Sequence, residues 1–151
     1  MEDQDELNED TQRGKFLTFL LEDEVFGIEI KYVTEIIGMQ PITEVPDVPE
    51  YVKGIINLRG KIVPVIDMRV KFGKEPAEYN DRTCIVVTEG EETVVGLIVD
   101  NVADVLTISD ENIVPPPDYH NDSQKRYIKG IGKCGNDIKL LIDCEMLMKG
   151  E

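Results

Sequence analysis

Two stretches of the chain recur in the same order. VFGIEIKYVTEII (25–37) aligns without gaps on VVGLIVDNVADVL (94–106), so that Val25, Gly27 and Val33 meet Val94, Gly96 and Val102, and Ile36-Ile37 meet Val105-Leu106. YVKGIINLRGKIVPVID (51–67) aligns in the same way on YIKGIGKCGNDIKLLID (127–143), with Tyr51, Lys53, Gly54, Ile55, Ile62, Ile66 and Asp67 identical. The first offset is 69 and the second 76, and the difference falls in a connector, where VPPPDYHNDSQK is the longer version. Connectors are where a structural repeat tolerates insertion. The fold is therefore two copies of one small unit, and 151 residues leave each copy room for only a few short elements.

The local patterns say which elements. KFLTFLLEDEVFGIEI (15–30) reads as strand, acidic turn, strand, with Phe26, Ile28 and Ile30 alternating with Gly27 and Glu29. KYVTEIIG places Val33, Ile36 and Ile37 at helical spacing and predicts a short helical turn. QPITEVPDVPE is an extended, proline-rich connector. Residues 52–68 read as strand, turn at Leu58–Lys61, strand; Pro64 has no amide to give a ladder, which predicts an edge strand or a bulge. Residues 82–100 and 127–143 give two more hairpins, the first with an acidic tip and the second with GIGKCGND at its turn. SDENIVPPPDYHNDSQ is a loop with a capped turn at Ser109, and CEMLMKG predicts a closing helix. With no long amphipathic helix, the pattern is all-β, barrels or a sandwich, with short helical turns; the repeat gives two copies of a unit of five or so strands, which two small barrels sharing one fold fit well.

Net charge is −15, which opposes nucleic acid and anionic membranes as partners. No apolar run reaches the ~20 residues of a bilayer span, and the acidic start MEDQDELNED is unlike a secretory signal, so a cytoplasmic location is expected. Residues 1–14 are read as a disordered acidic tail ahead of one domain, 15–151, whose repeat halves are approximately 15–80 and 81–147. Cys84, Cys134 and Cys144 are scattered and odd in number, which predicts buried reduced thiols instead of a disulfide or zinc framework.

Catalytic signals are weak. The one histidine, His120, sits in a polar loop beside Asn121 and Asp122, where a solvated ring is the simpler reading. Phosphate-loop and EF-hand spacings are absent, and a chain without tryptophan offers few platforms for a paired-carboxylate hydrolase. No cofactor or metal is expected. What remains is a protein that works by binding others. A second reading stays open: a small barrel that binds an acidic ligand or a metal, extending to hydrolysis.

The repeat also works as an internal control. Tyr51, Gly54 and Asp67 occur in both copies, so the fold needs them, and Gly54 and Gly130 mark a bulge or a close backbone approach. Arg59 faces Gly135 in the other copy, Asn57 faces Lys133 and Pro64 faces Leu140. The turn can be built without an arginine, which makes Arg59 a candidate functional residue.

GKFLTFLLEDEVFGIEIKYVTEIIG, YVKGIINLRGKIVPVIDMRVKFG, YNDRTCIVV and VVGLIVDNVADVL together resemble the CheW-like domain family of bacterial chemotaxis adaptors, from about Lys15 to Leu147. The KGIINLRGKIVPVIDMR block is the most specific part. The resemblance implies two intertwined SH3-like five-stranded barrels and no catalysis. It implies an adaptor that couples transmembrane chemoreceptors (methyl-accepting chemotaxis proteins) to the regulatory domain of the histidine kinase CheA, cytoplasmic but recruited to receptor arrays. The receptor's cytoplasmic hairpin tip is expected at Arg59, Val33, Glu35, Lys53, Val102 and Val105, in a groove between the barrels. Thr83 and Cys84 match the kinase-facing segment, although Cys84 stands where the family usually has an aliphatic residue. The same domain occurs in CheA and in the adaptor CheV; with no kinase or receiver region in these 151 residues, the stand-alone adaptor fits best.

Overall fold

Alternating apolar residues draw the chain into short antiparallel hairpins, and the repeat decides how the hairpins combine. The computed structural model describes residues 13–116 and 127–149. In chain order the strands are β1 (Lys15–Leu21), β2 (Glu24–Glu29), β3 (Val33–Gly38), β4 (Val52–Leu58), β5 (Lys61–Asp67), β6 (Cys84–Glu89), β7 (Val94–Val99), β8 (Asn101–Thr107), β9 (Ile113–Val114), β10 (Ile128–Cys134) and β11 (Asp137–Ile142). Two short helices, α1 (Met68–Lys71) and α2 (Cys144–Met148), follow β5 and β11.

The strands form two sheets, one in the order β8-β1-β2-β11-β10-β9 (barrel A) and the other β3-β6-β7-β5-β4 (barrel B). Under the repeat, β2 corresponds to β7, β3 to β8, β4 to β10 and β5 to β11. The two orders are then the same path with the copies exchanged. Each sheet is joined at its centre by a parallel pair taken from both copies: Leu140↔Phe26 and Leu141↔Gly27 in the first, Val65↔Gly96 and Ile66↔Leu97 in the second. This reciprocal pairing produces two intertwined SH3-like barrels.

Both copies solve the same local problems in the same way. The β4–β5 register shifts between Val52 and Gly54, and the β10–β11 register between Ile128 and Gly130, so both glycines sit at bulges. Gly54 has φ +145°, and a Cβ there would lie 2.1 Å from the Thr43 carbonyl oxygen. That carbonyl belongs to the proline-rich connector, whose Thr43 exchanges two 2.9 Å backbone hydrogen bonds with Ile55 and so covers the edge strand β4. The amides of Asp67 and Asp143 each donate at 2.7 Å to the carbonyls of Tyr51 and Tyr127. Both aspartates then cap a helix: Asp67 accepts from the amides of Arg69 and Val70, and Asp143 from that of Met146.

Three apolar clusters fill the molecule. The largest joins both barrels, with Phe19 and Phe26 of A against Val86, Leu97 and Met68 of B, and an aromatic chain Phe19–Phe26–Phe72–Tyr127 with centroids 5.8, 5.1 and 6.1 Å apart. Among the described residues, barrel B has its own interior of Ile56, Val63, Val65, Ile85, Val87 and Ile98, and barrel A a smaller one of Phe16, Ile108 and Leu141. Most of the apolar burial therefore lies at the seam, where neither barrel can keep it alone.

Three expectations change. Residues 33–38 form a strand, not a helical turn; a 3-10 turn at Ile30–Tyr32 precedes it, and antiparallel pairing with β6 sets its alternation. Pro64 lies in β5, an internal strand, but pairing with β7 begins at Val65, so Pro64 sits where one side of β5 is still open. Of the expected tail 1–14, Gly14 accepts through its carbonyl from the Ile108 amide at 2.8 Å; residues 1–12 lie outside the described residues. Of the three free cysteines only Cys144 is fully buried, Cys84 and Cys134 being half-buried. The expected turn after Ser109 is present as a 3-10 turn at Asp110–Asn112, with no side-chain cap to its backbone.

Candidate functional site

The β4–β5 hairpin closes through two residues, Arg59 (φ +53°) and Gly60 (φ +87°), flanked by the paired Leu58 and Lys61. Positive φ at both central residues is the requirement of a type I′ turn, whose twist suits the flanking strands. The Asn57 side chain supports the turn by accepting from the Gly60 amide at 2.7 Å. Gly135 occupies the equivalent place in the other hairpin with φ +65°. Arg59 thus holds a backbone conformation that favours glycine, in the copy that does not have one.

Its side chain is 70% exposed and forms an ion pair with Glu35 of β3. The hydrogen bond it donates to Glu35, and then the charge of that carboxylate, push the guanidinium further up. β3 and the β4–β5 hairpin lie at opposite ends of the barrel B sheet. A contact between them requires the sheet to curl round on itself, so the Arg59–Glu35 pair marks the place where barrel B closes.

Val33 and Val102, equivalent under the repeat, are both half-buried against the seam cluster. Val105 is 55% exposed on β8, and Lys53 occupies the bulge of β4 between Val52 and Gly54. The structure therefore brings Arg59 directly onto Glu35 and sets Val33 and Val102 on a common cluster, while Lys53 and Val105 stand apart from the ion pair. The two residues expected on the kinase side are turned inward. Thr83 is buried; its hydroxyl accepts from the Asn80 amide at 2.9 Å and its amide donates to the Asn80 carbonyl at 3.1 Å. Cys84 packs on the seam beside Val33 and Val102, with its thiol in hydrogen-bonding reach of the Val102 backbone, and burial pushes that thiol up.

Sequence reasoning missed Ile36 and Ile62, which are 44% and 58% exposed. Ile36 is the repeat equivalent of Val105, and Ile62 of Ile138, itself 61% exposed. The signal was present in the alignment, since naming Val105 in one copy pointed at Ile36 in the other.

A polar network ties the segment after β5 of barrel B to the β1–β2 turn and the start of β8 of barrel A. Arg69 donates through Nε to Asp100 at 2.8 and 3.0 Å, lies 3.8 Å from Glu22, and donates to the Glu75 carbonyl at 3.3 Å. Burial pushes Asp100 up, but the hydrogen bonds from Arg69 and the Glu22 amide, with the charges of Arg69 and Lys74, outweigh it and hold the carboxyl below its ordinary value. Tyr79 donates to Asp67 at 2.9 Å, and burial followed by that hydrogen bond raises the phenol. Away from Arg59, an open cleft of about 350 Å³ lies between the β6–β7 turn and α2, lined by Glu91, Glu92, Thr93, Glu145 and Met148. Among the described residues no group of three or more His, Cys, Asp or Glu is placed to hold a metal, and no helix is long and apolar enough to cross a membrane. His120 lies outside the described residues.

Residues 15–151 match the family model of the CheW-like domain. The chain belongs to that family. CheW of Klebsiella aerogenes, a chemotaxis protein, is 39% identical over 142 residues, covering 94% of this chain and 86% of the relative. The probable chemotaxis protein CheW of Rhizobium etli is 38% identical over 133 residues, covering 88% and 86%. The crystal structure of the scaffolding protein TtCheW from Thermoanaerobacter tengcongensis matches with a TM-score of 0.80 at 36% identity, over 86% of this chain and 88% of that one. This CheW-family chain is thus a chemotaxis scaffold by family, and no enzymatic family is indicated. The two-barrel architecture expected from the repeat is that of the family.

Proposed function

We propose that the protein couples transmembrane chemoreceptors to the histidine kinase CheA as a non-catalytic adaptor in the cytoplasm, recruited to receptor arrays. In this reading the receptor's helical hairpin tip meets the Arg59–Glu35 pair, with Val33, Lys53, Val102 and Val105 around it, and Ile36 adds an exposed apolar contact. The regulatory domain of CheA meets the start of β6. There Thr83 and Cys84 serve as a segment whose backbone shape is presented, because both side chains are engaged within the protein.

The observation that carries the reading is Arg59 itself: an exposed guanidinium on a turn whose backbone favours glycine and whose repeat copy uses glycine. A residue kept against its local backbone preference points to a role outside the fold. The test is Arg59→Gly, which removes the side chain while giving the turn the residue its φ prefers. The variant is expected to melt no lower than the parent, and to lose capture of a receptor cytoplasmic hairpin fragment in a pull-down while still capturing the CheA regulatory domain. Undiminished capture of the receptor fragment, or a collapse in melting temperature, refutes the assignment.

A further inference from the structure

Lys71, the last residue of α1, is a charged side chain only 7% exposed. Its ammonium lies 3.6 Å from the ring centroid of Tyr51 and 4.7 Å from that of Tyr127. These two tyrosines are equivalent under the repeat: each precedes a hairpin of its own copy and accepts, through its carbonyl, the amide of the aspartate that ends that hairpin. Tyr51 leads into β4 of barrel B and Tyr127 into β10 of barrel A. One cation from one copy is therefore shared between the faces of the two repeat-related rings. None of the ion pairs among the described residues includes Lys71.

The repeat shows that the cation is not needed to fill the position. The counterpart of Lys71 is Leu147, 2% exposed in the seam cluster. An ammonium costs more to bury than a leucine, so packing alone favours leucine at both places. What the ammonium adds is direction. Apolar contact is indifferent to small sliding, whereas a cation between two aromatic faces is attracted most strongly to one position over both rings.

We propose that Lys71 is a setting pin, which selects one arrangement of barrel A against barrel B at the seam without raising the stability of the fold. The seam is greasy and broad, and Val33, Cys84 and Val102 pack on it, so its setting also fixes the spacing of the strands that carry them. The pin stands whether or not the receptor reading of that surface holds, because it is read in the protein alone.

The experiment is methyl NMR on the full chain labelled at isoleucine, leucine and valine, for the parent, Lys71→Leu, Lys71→Met and Lys71→Arg, with thermal unfolding of each. Lys71→Leu and Lys71→Met are expected to fold and to melt no lower than the parent. In both, the seam methyls of Leu17, Val86 and Leu147 broaden or double, while Val63 and Ile85 inside barrel B stay single. Lys71→Arg keeps the charge and keeps the seam signals single. Single, sharp seam signals in the Leu and Met variants overturn the proposal. So does a Leu variant that fails to fold or melts well below the parent, since that assigns the lysine to stability and not to setting.

Discussion

Replacing Gly54 by alanine tests how the connector is held over β4. The added Cβ would lie 2.1 Å from the Thr43 carbonyl oxygen and 2.8 Å from Ile42 Cγ2, on a backbone with φ +145°. Holding an L-residue in such a sparsely populated region costs roughly 1–3 kcal/mol. Relieving the clash requires the connector to move away by at least 1.3 Å, the gap between 2.1 Å and the 3.4 Å at which ordinary Cβ contact begins. That opens the two hydrogen bonds between Thr43 and Ile55, each worth about 1 kcal/mol net. Ile42 is partly buried against the interior of barrel B, and lifting it adds about 1 kcal/mol of re-exposed apolar surface. The expected loss is therefore roughly 4–6 kcal/mol, a large share of the 5–15 kcal/mol typical of a domain.

Two control glycines separate the causes. Gly60 has φ +87° but nothing within 4 Å of where a Cβ would stand, so Gly60→Ala carries the backbone cost alone, about 1 kcal/mol. Gly38 has open space and no positive φ, so Gly38→Ala is expected to lie within about 0.5 kcal/mol of the parent. Urea unfolding followed by circular dichroism gives all three midpoints. If Gly54→Ala costs no more than Gly60→Ala, the approach of the connector to β4 does not hold the structure together.

Two further predictions concern polar contacts. Asp100→Asn is expected to lose about 1 kcal/mol at neutral pH, discounted for partial exposure of the Arg69 pair; because folding depresses the Asp100 carboxyl, its contribution is present above the unfolded-chain value near 3.9 and fades as pH falls through the lower folded value, so the melting difference from the parent closes in acid, and a pH-independent difference contradicts the ion-pair reading. Thr83→Val is expected to lose about 1 kcal/mol, because the Asn80 amide loses its hydroxyl acceptor; an unchanged urea midpoint shows that the turn before β6 does not depend on this bond.

Much of the fold was legible because the repeat constrained it twice. Gly54 and Gly130 sit at matching bulges, and Tyr51, Tyr127, Asp67 and Asp143 make matching hydrogen bonds. The helix α1 was not read from the sequence, being too short for periodicity to reveal; the signal that could have found it is the Asp recurring ahead of the expected helix at CEMLM. β3 was misread because Val33, Ile36 and Ile37 fit a helical spacing, and because Ile36 faces outward, which hides the alternation of a strand. The exchange of strands between barrels was not readable from alternation, since a parallel pair such as β5–β7 leaves the same pattern as any buried strand. The Arg59–Glu35 contact and the inward turn of Thr83 depend on barrel closure and on a loop, which local sequence does not encode.

A faithful two-copy protein presents the same surface twice, which suits two identical partners. An adaptor between two different partners needs the copies to differ outside while agreeing inside. The skeleton agrees: strand order, bulges, caps and the tyrosine–aspartate bonds are shared. Several charged positions do not. Arg59 stands against Gly135. Arg69, which binds Asp100, has Glu145 as its counterpart, and Asp100 has Lys31, so the clamp is inverted in sign. Glu145 of the second copy instead engages Tyr32 of the first, whose phenol is pushed up to about 12, first by burial and then by the charge and hydrogen bond of Glu145. Charge inversions on a common frame leave the shared strand order in place, and under the proposed adaptor reading they would let each barrel attract a different partner. They make the two copies electrostatically distinct on a shared backbone frame.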